Sequence, residues 1–115
     1  MTTPKRVMIE SPFHSDNPET HRAYKLYLMR AVYDCLQRKE APFASHGFYT
    51  LFLNDKDQRE REQGMACGFA WQQAAQLVAV YEDYGISKGM WEGISNAFKH
   101  DLKVEHRQIG KNIGD

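Results

Sequence analysis

The sequence predicts one α/β domain, three layers deep (αβα), in which helices cover both faces of a parallel sheet of four or five strands. Leu77-Val78-Ala79-Val80-Tyr81 is a continuous apolar run bounded by turn residues, the pattern of a strand buried on both faces. Short strand-like runs alternate with helical ones along the chain, which implies βαβ crossovers and a doubly wound sheet. A chain of 115 residues with 42% hydrophobic and 12% aromatic content holds enough apolar material for one compact core.

The elements follow in order. Arg6-Val7-Met8-Ile9-Glu10 reads as a first buried strand that stops at Ser11-Pro12. Asn17-Pro18-Glu19 is a helix start, with an N-cap, a proline at the first helical position and an acid in the first turn. Tyr24, Tyr27, Leu28, Ala31, Cys35 and Leu36 then recur at helical spacing up to Arg38-Lys39. Ala41-Pro42-Phe43-Ala44 is a second strand, and Ser45-His46-Gly47 is expected to turn the chain into an apolar patch from Phe48 to Leu53. A helix with a charged beginning near Asp57 passes into Gly64, Cys67, Gly68 and Trp71. Its two glycines, four apart on one face, point to close packing against a neighbour. After the strand at 77–81, Gly85-Ile86-Ser87 opens a helix whose stripe is Met90, Trp91, Ile94, Ala97 and Phe98. A last strand spans Lys103–Arg107, and Gly110–Asp115 reads as a frayed tail.

Charge narrows the partners. Fifteen basic and fifteen acidic residues cancel, so the basic surface that a nucleic acid polymer requires is missing from the composition. No stretch approaches the roughly 20 apolar residues of a membrane span, and the opening segment is too short for a signal peptide, so a cytoplasmic protein is expected. Cys35 and Cys67 lie in apolar helical patterns and read as buried thiols. The five histidines show no metal-ligand spacing, so neither a metal nor another cofactor is expected.

In open parallel sheets, ligands bind beyond the carboxyl ends of the strands. Three loops leave strands at that edge: Ser11-Pro12-Phe13-His14, Ser45-His46-Gly47, and Glu82 to Gly89. The third places Ser87, Lys88 and Gly89 at a helix start, where free N–H groups and the positive dipole end suit an anion; equally, Ser87 serves as an ordinary helix cap. Asp83 sits where a carboxylate accepts hydrogen bonds from a sugar hydroxyl, or is a solvated turn acid. His46 is a ligand contact, a general acid or a structural loop histidine. Arg59 and Arg61 form a solvated helix face or reach a phosphate.

Ser11-Pro12-Phe13, Ala44-Ser45-His46, Tyr49, Leu53, Asp55 and Glu60-Arg61 to Gly64, then Tyr81-x-Asp83-x-Gly85-Ile86-Ser87-x-Gly89-Met90 and Ala97, run in order from Val7 to Arg107. They resemble the nucleoside 2-deoxyribosyltransferase-like superfamily, particularly its small phage and bacterial members, which are related to nucleotide N-glycosidases. The resemblance implies a Rossmann/flavodoxin-like sheet over the whole chain and a pocket for a nucleoside or nucleotide. Ser11, Pro12 and Phe13 would form one wall, Asp83 would lie near the sugar, and Gly85 to Met90 would hold a phosphate, with Ser87 bound to it as in the N-glycosidases. It also implies a homodimer or higher homo-oligomer, for which Phe48, Tyr49, Phe52 and Trp91 offer surface.

The chain departs from that pattern at one position. Catalytic members carry a glutamate nucleophile six residues after the loop serine or aspartate, and here that residue is Gly93. Glu92 is adjacent but turned by roughly 100° around the helix. The expectation is therefore a nucleotide-binding protein with lost or weak catalysis, such as one that sequesters a nucleotide in phage–host conflict. An N-glycosidase or deoxyribosyltransferase using Glu92 or Asp83 is the alternative, and a protein-binding scaffold is the third.

Overall fold

The computed structural model describes residues 2–111. Four strands, β1 (Arg6–Glu10), β2 (Ala41–Phe43), β3 (Leu77–Tyr81) and β4 (Val104–Arg107), form one all-parallel sheet in the order β2-β1-β3-β4. Helix α1 (Pro18–Gln37) connects β1 to β2; α2 (Ser45–Tyr49) and α3 (Gln58–Gln72) connect β2 to β3; α4 (Lys88–Lys99) connects β3 to β4. The predicted layered α/β fold is the observed one.

Period-two alternation divides the core. Val7, Ile9, Leu77, Ala79 and Tyr81 face α1 and pack on Tyr27, Leu28, Ala31 and Cys35. Met8, Val78 and Val80 face the other way, onto Met90, Ile94 and Ala97 of α4. α3 lies beside α4: Gln72, fully buried, donates to the Gly93 carbonyl at 2.9 Å and accepts from the Asn96 amide at 2.7 Å.

Local chemistry sets the boundaries. Asn17 and Asp57 cap α1 and α3 through side-chain oxygens. α1 and α4 both end on a residue in the left-handed region, Lys39 (φ 66°) and Asp101 (φ 56°). In each the following amide, Glu40 or Leu102, returns to a carbonyl five residues back, closing the last turn. Pro42 is tolerated because β2 is an edge strand.

Three expectations change. Ser45-His46-Gly47 is the first turn of α2 rather than a bend, and it passes close to α1, so that a Cβ on Gly47 would come 2.5 Å from Leu28 Cδ2 and push that side chain aside. The apolar stripes are narrower than the sequence suggests: Leu36, Trp91 and Phe98 keep helical spacing to core residues but stand at the margins of the buried faces and are exposed. Gly110 and Lys111 are fastened rather than frayed, by Arg30 to the Gly110 carbonyl and Tyr84 to the Lys111 carbonyl. Residues 112–115 of the expected tail lie outside the described residues.

Beneath the α1 face a polar cluster closes the core. Arg107, 4% exposed, makes a two-pronged pair with Glu40 (2.8 and 2.7 Å), donates to Glu105 at 2.7 Å and to the Tyr81 hydroxyl at 3.0 Å. Tyr81 in turn donates to Asp34 at 2.8 Å and touches the Cys35 thiol. Burial raises the Cys35 thiol above its ordinary value, so it is the inert buried thiol the sequence suggests. Removing one partner strands the other charge, so Arg107→Leu is expected to lower stability in urea titrations by about 3 kcal/mol, and Leu102→Ala, at the partly buried α4–β4 junction, by less.

Candidate functional site

The sheet order fixes where a ligand can sit. β1 sends its connection to one side, toward β2, while β3 on its other flank sends its own toward β4. The loops after β1 and β3 therefore diverge and leave a crevice at their carboxyl ends. A cavity of about 620 Å³ opens there, a volume suited to a small-molecule ligand.

Its walls come from every element near that edge. The β1 exit supplies Glu10, Ser11, Pro12, Phe13 and His14; α1 supplies Tyr24; α2 and its exit supply Ser45, His46, Tyr49, Thr50 and Leu53. Opposite stand Glu60, Arg61, Gly64 and Gly68 of α3, and the β3 exit from Tyr84 through Gly85, Ile86, Ser87, Lys88, Gly89 and Met90 to Gly93. Of the two glycines expected to pack closely, Gly68 does, since a Cβ there would lie 2.7 Å from Ser45 Oγ, whereas a Cβ on Gly64 would make ordinary contact, 3.4 Å from Leu53 Cδ1. A second hollow of about 290 Å³, between Phe43, Trp71 and the amino end of β1, is almost wholly apolar and has no group able to do chemistry.

The start of α4 has both properties the sequence offered. Ser87 is the cap: its Oγ accepts from the Met90 amide at 3.3 Å, and its own N–H points to Met90 Sδ at 3.4 Å. Among the described residues no hydrogen bond engages the Lys88 and Gly89 amides, and the space beside the Gly89 Cα is open. Lys88, Gly89 and, from α3, Arg61 all line the cavity, so two N–H groups without a partner, the start of a helix and two basic residues belong to its wall. Gly85 (φ 85°) accepts the left-handed turn that aims this loop.

Ser11 and His46 are joined, Oγ to Nε2, at 2.8 Å, and the Phe13 ring packs edge-on against the imidazole. Burial pushes His46 down to about 4, so it is neutral at physiological pH and unsuited to act as an acid there. Asp83 does not line the cavity. It accepts from the Tyr27 hydroxyl at 2.6 Å and from the Ile109 and Gly110 amides at 2.8 Å each. Burial favours its neutral form, but those donors outweigh burial and hold its carboxyl below the usual value. Its work is to fasten the segment after β4. Glu92 does not line the cavity either, as the 100° step around the helix requires. Arg59, unlike Arg61, stays out of the cavity wall.

The group that sequence reasoning passed over is Glu10. Alternation along β1 sends Glu10 the same way as Met8, toward α4. There its carboxyl rests against Gly93: a Cβ on Gly93 would lie 2.8 Å from Oε1 and nearer still to Oε2 and Cδ. Among the described residues no basic group or hydrogen-bond donor offsets the loss of water, and burial pushes Glu10 up to about 8. Its remaining exposure is to the cavity. An acid ending an apolar strand at the carboxyl edge was the available signal, two positions beyond an inward-facing methionine.

The fold and cavity define a doubly wound α/β domain with a ligand crevice at its topological switch point. The chain belongs to the family described as Domain of unknown function (DUF7768), whose model matches residues 5–107. No curated protein and no solved structure matches it.

The titration of Glu10 has a consequence for stability. Because the folded value is raised, the chain unfolds more readily as pH climbs from the ordinary carboxyl value, 4.5, through about 8, where the unfolded state ionises and the folded state does not. Glu10→Gln is therefore expected to be no more stable than the wild type at pH 4.5 and more stable by at least about 1 kcal/mol at pH 8.5, read from thermal melts across that range.

Proposed function

We propose that the chain binds a nucleoside 5′-phosphate in this cavity, with the phosphate at the start of α4. The observation that carries the reading is the pair of unengaged Lys88 and Gly89 amides opening, with the Lys88 and Arg61 cations, into a cavity of about 620 Å³. Anions seat where free N–H groups and a helix dipole converge. Phe13, Tyr24 and Tyr84 supply flat apolar surface for a sugar or base ring; Tyr84 is itself held edge-on by Tyr24 at 5.4 Å. The resemblance to nucleoside 2-deoxyribosyltransferases and N-glycosidases supports the same ligand class. Such a protein would sequester a cytoplasmic nucleotide.

A second reading, cleavage of the N-glycosidic bond, is favoured by one observation. The Glu10 carboxyl occupies the space that a side chain at position 93 would fill, so the glycine at the resembling enzymes' nucleophile position leaves a carboxyl nearby. Self-association also belongs to the proposal. Phe48, Leu51, Phe52 and Trp71 are exposed on the α2–α3 flank, and one self-complementary patch there would close a dimer.

Calorimetry with deoxynucleoside monophosphates tests the reading. Ser87→Asp, which adds a like charge at the anion site, should weaken binding at least about tenfold, and by more than Ser87→Ala; equal affinity of Ser87→Asp and wild type would remove the phosphate from this loop. Liquid chromatography of the same mixtures separates the two readings. Binding alone releases no free base, whereas any release should vanish in Glu10→Gln and persist in Glu92→Ala.

A further inference from the structure

At the carboxyl edge most polar groups near the cavity floor are already engaged. Ser11 and His46 hold each other, Gln72 bridges Gly93 and Asn96, and Asp83 is spent on the chain after β4. Glu10 is the exception: among the described residues its carboxyl has no hydrogen-bond partner, and the half-buried side chain has its open side toward the cavity. A polar group in that position costs stability unless something else satisfies it. The structure around it is arranged to keep it there, because any side chain at position 93 would displace it.

We propose that Glu10 is a ligand-binding residue, which hydrogen-bonds the pentose and glycosidic end of the nucleoside phosphate, and that position 93 is glycine to make its seat. The inference rests on the phosphate placement above. Gly93 lies six residues beyond Ser87, about 9 Å along the helix at 1.5 Å per residue. A ligand whose phosphate is held at the start of α4 and whose body runs down the cavity brings its sugar ring and the bond to its base to that depth.

The chemistry of the contact follows from the surroundings. The other ionisable groups that line the cavity are His46 on α2, Glu60 and Arg61 on α3, Lys88 on α4, and His14 and Asp55 in loops; Tyr24, Tyr49 and Tyr84 add phenols. None of them is close enough to Glu10 to hold its charge. At neutral pH Glu10 therefore carries its proton and donates to a ring oxygen, hydroxyl or base acceptor. Above about pH 8 it ionises, and a carboxylate facing the same acceptor repels it. The dissociation constant of the competent form is divided by its population, so a rise of one pH unit beyond that value weakens binding about tenfold.

The test is calorimetry of the whole chain with the four deoxynucleoside 5′-monophosphates and with inorganic phosphate, at pH 6.5 and pH 9. Expected at pH 6.5 is at least a tenfold loss of monophosphate affinity in Glu10→Ala and in Gly93→Ala, with inorganic phosphate unaffected. Glu10→Gln, which still donates, should stay within about threefold of wild type. Wild type should weaken about tenfold more than Glu10→Gln between pH 6.5 and pH 9; the ionisation of the ligand and of the other cavity groups is common to both and cancels. Unchanged monophosphate affinity in Glu10→Ala, or equal losses for monophosphate and inorganic phosphate, overturns the role of Glu10 while leaving the phosphate site in place. Failure of the wild type to bind any monophosphate overturns the nucleotide reading, and this inference with it.

Discussion

Strand β1 is hydrogen-bonded to β2 on one side and β3 on the other, and is covered by α1 on one face and α4 on the other. That double enclosure determines what its last residue can do. Glu10 ends the strand half-buried at the cavity wall, and alternation commits it to the α4 face. Only a residue without a side chain can stand opposite, and Gly93 does. The strand order opens the crevice, and the neutral state of the acid follows from its burial at this contact between the end of one strand and the middle of one helix.

The site is electrically divided. Lys88, Arg61 and the start of α4 bring positive charge to its wall beside the acids Asp55 and Glu60, whereas Glu10 and His46 are uncharged at neutral pH, since burial keeps Glu10 protonated and His46 unprotonated. Opposite shifts with one cause, loss of water around an ionised group, give a floor of hydrogen-bonding groups with no net charge. Such a gradient orients a ligand with one anionic end and one neutral polar end.

Much of this architecture was legible in the residues. The run Leu77–Tyr81 announced a buried parallel strand, Asn17-Pro18 and Ser87 announced helix starts, and the three loops at the carboxyl edge do line one cavity. Position 93 stood out as an unusual glycine, but a linear reading searched its neighbours in sequence, Glu92 first, for a replacement acid. The carboxyl comes from 83 residues earlier, because β1 and α4 meet only through the sheet. Asp83 misled for a related reason: its place after β3 suits a ligand contact, but the chain after β4 returns to claim it with two amides and Tyr27 adds a hydroxyl. The exposure of Leu36, Trp91 and Phe98 was illegible because helical spacing gives the direction of a stripe and not the width of the surface it meets.

The most direct measurement is a carbon-13 NMR titration of the side-chain carboxyls, with Glu10 assigned by its disappearance in Glu10→Gln. The account predicts one glutamate that titrates near pH 8, far from the ordinary value of 4.5. A Glu10 signal that titrates between about pH 4 and 5 with the exposed glutamates would mean that the carboxyl is hydrated or paired, and would contradict the neutral floor on which the account rests.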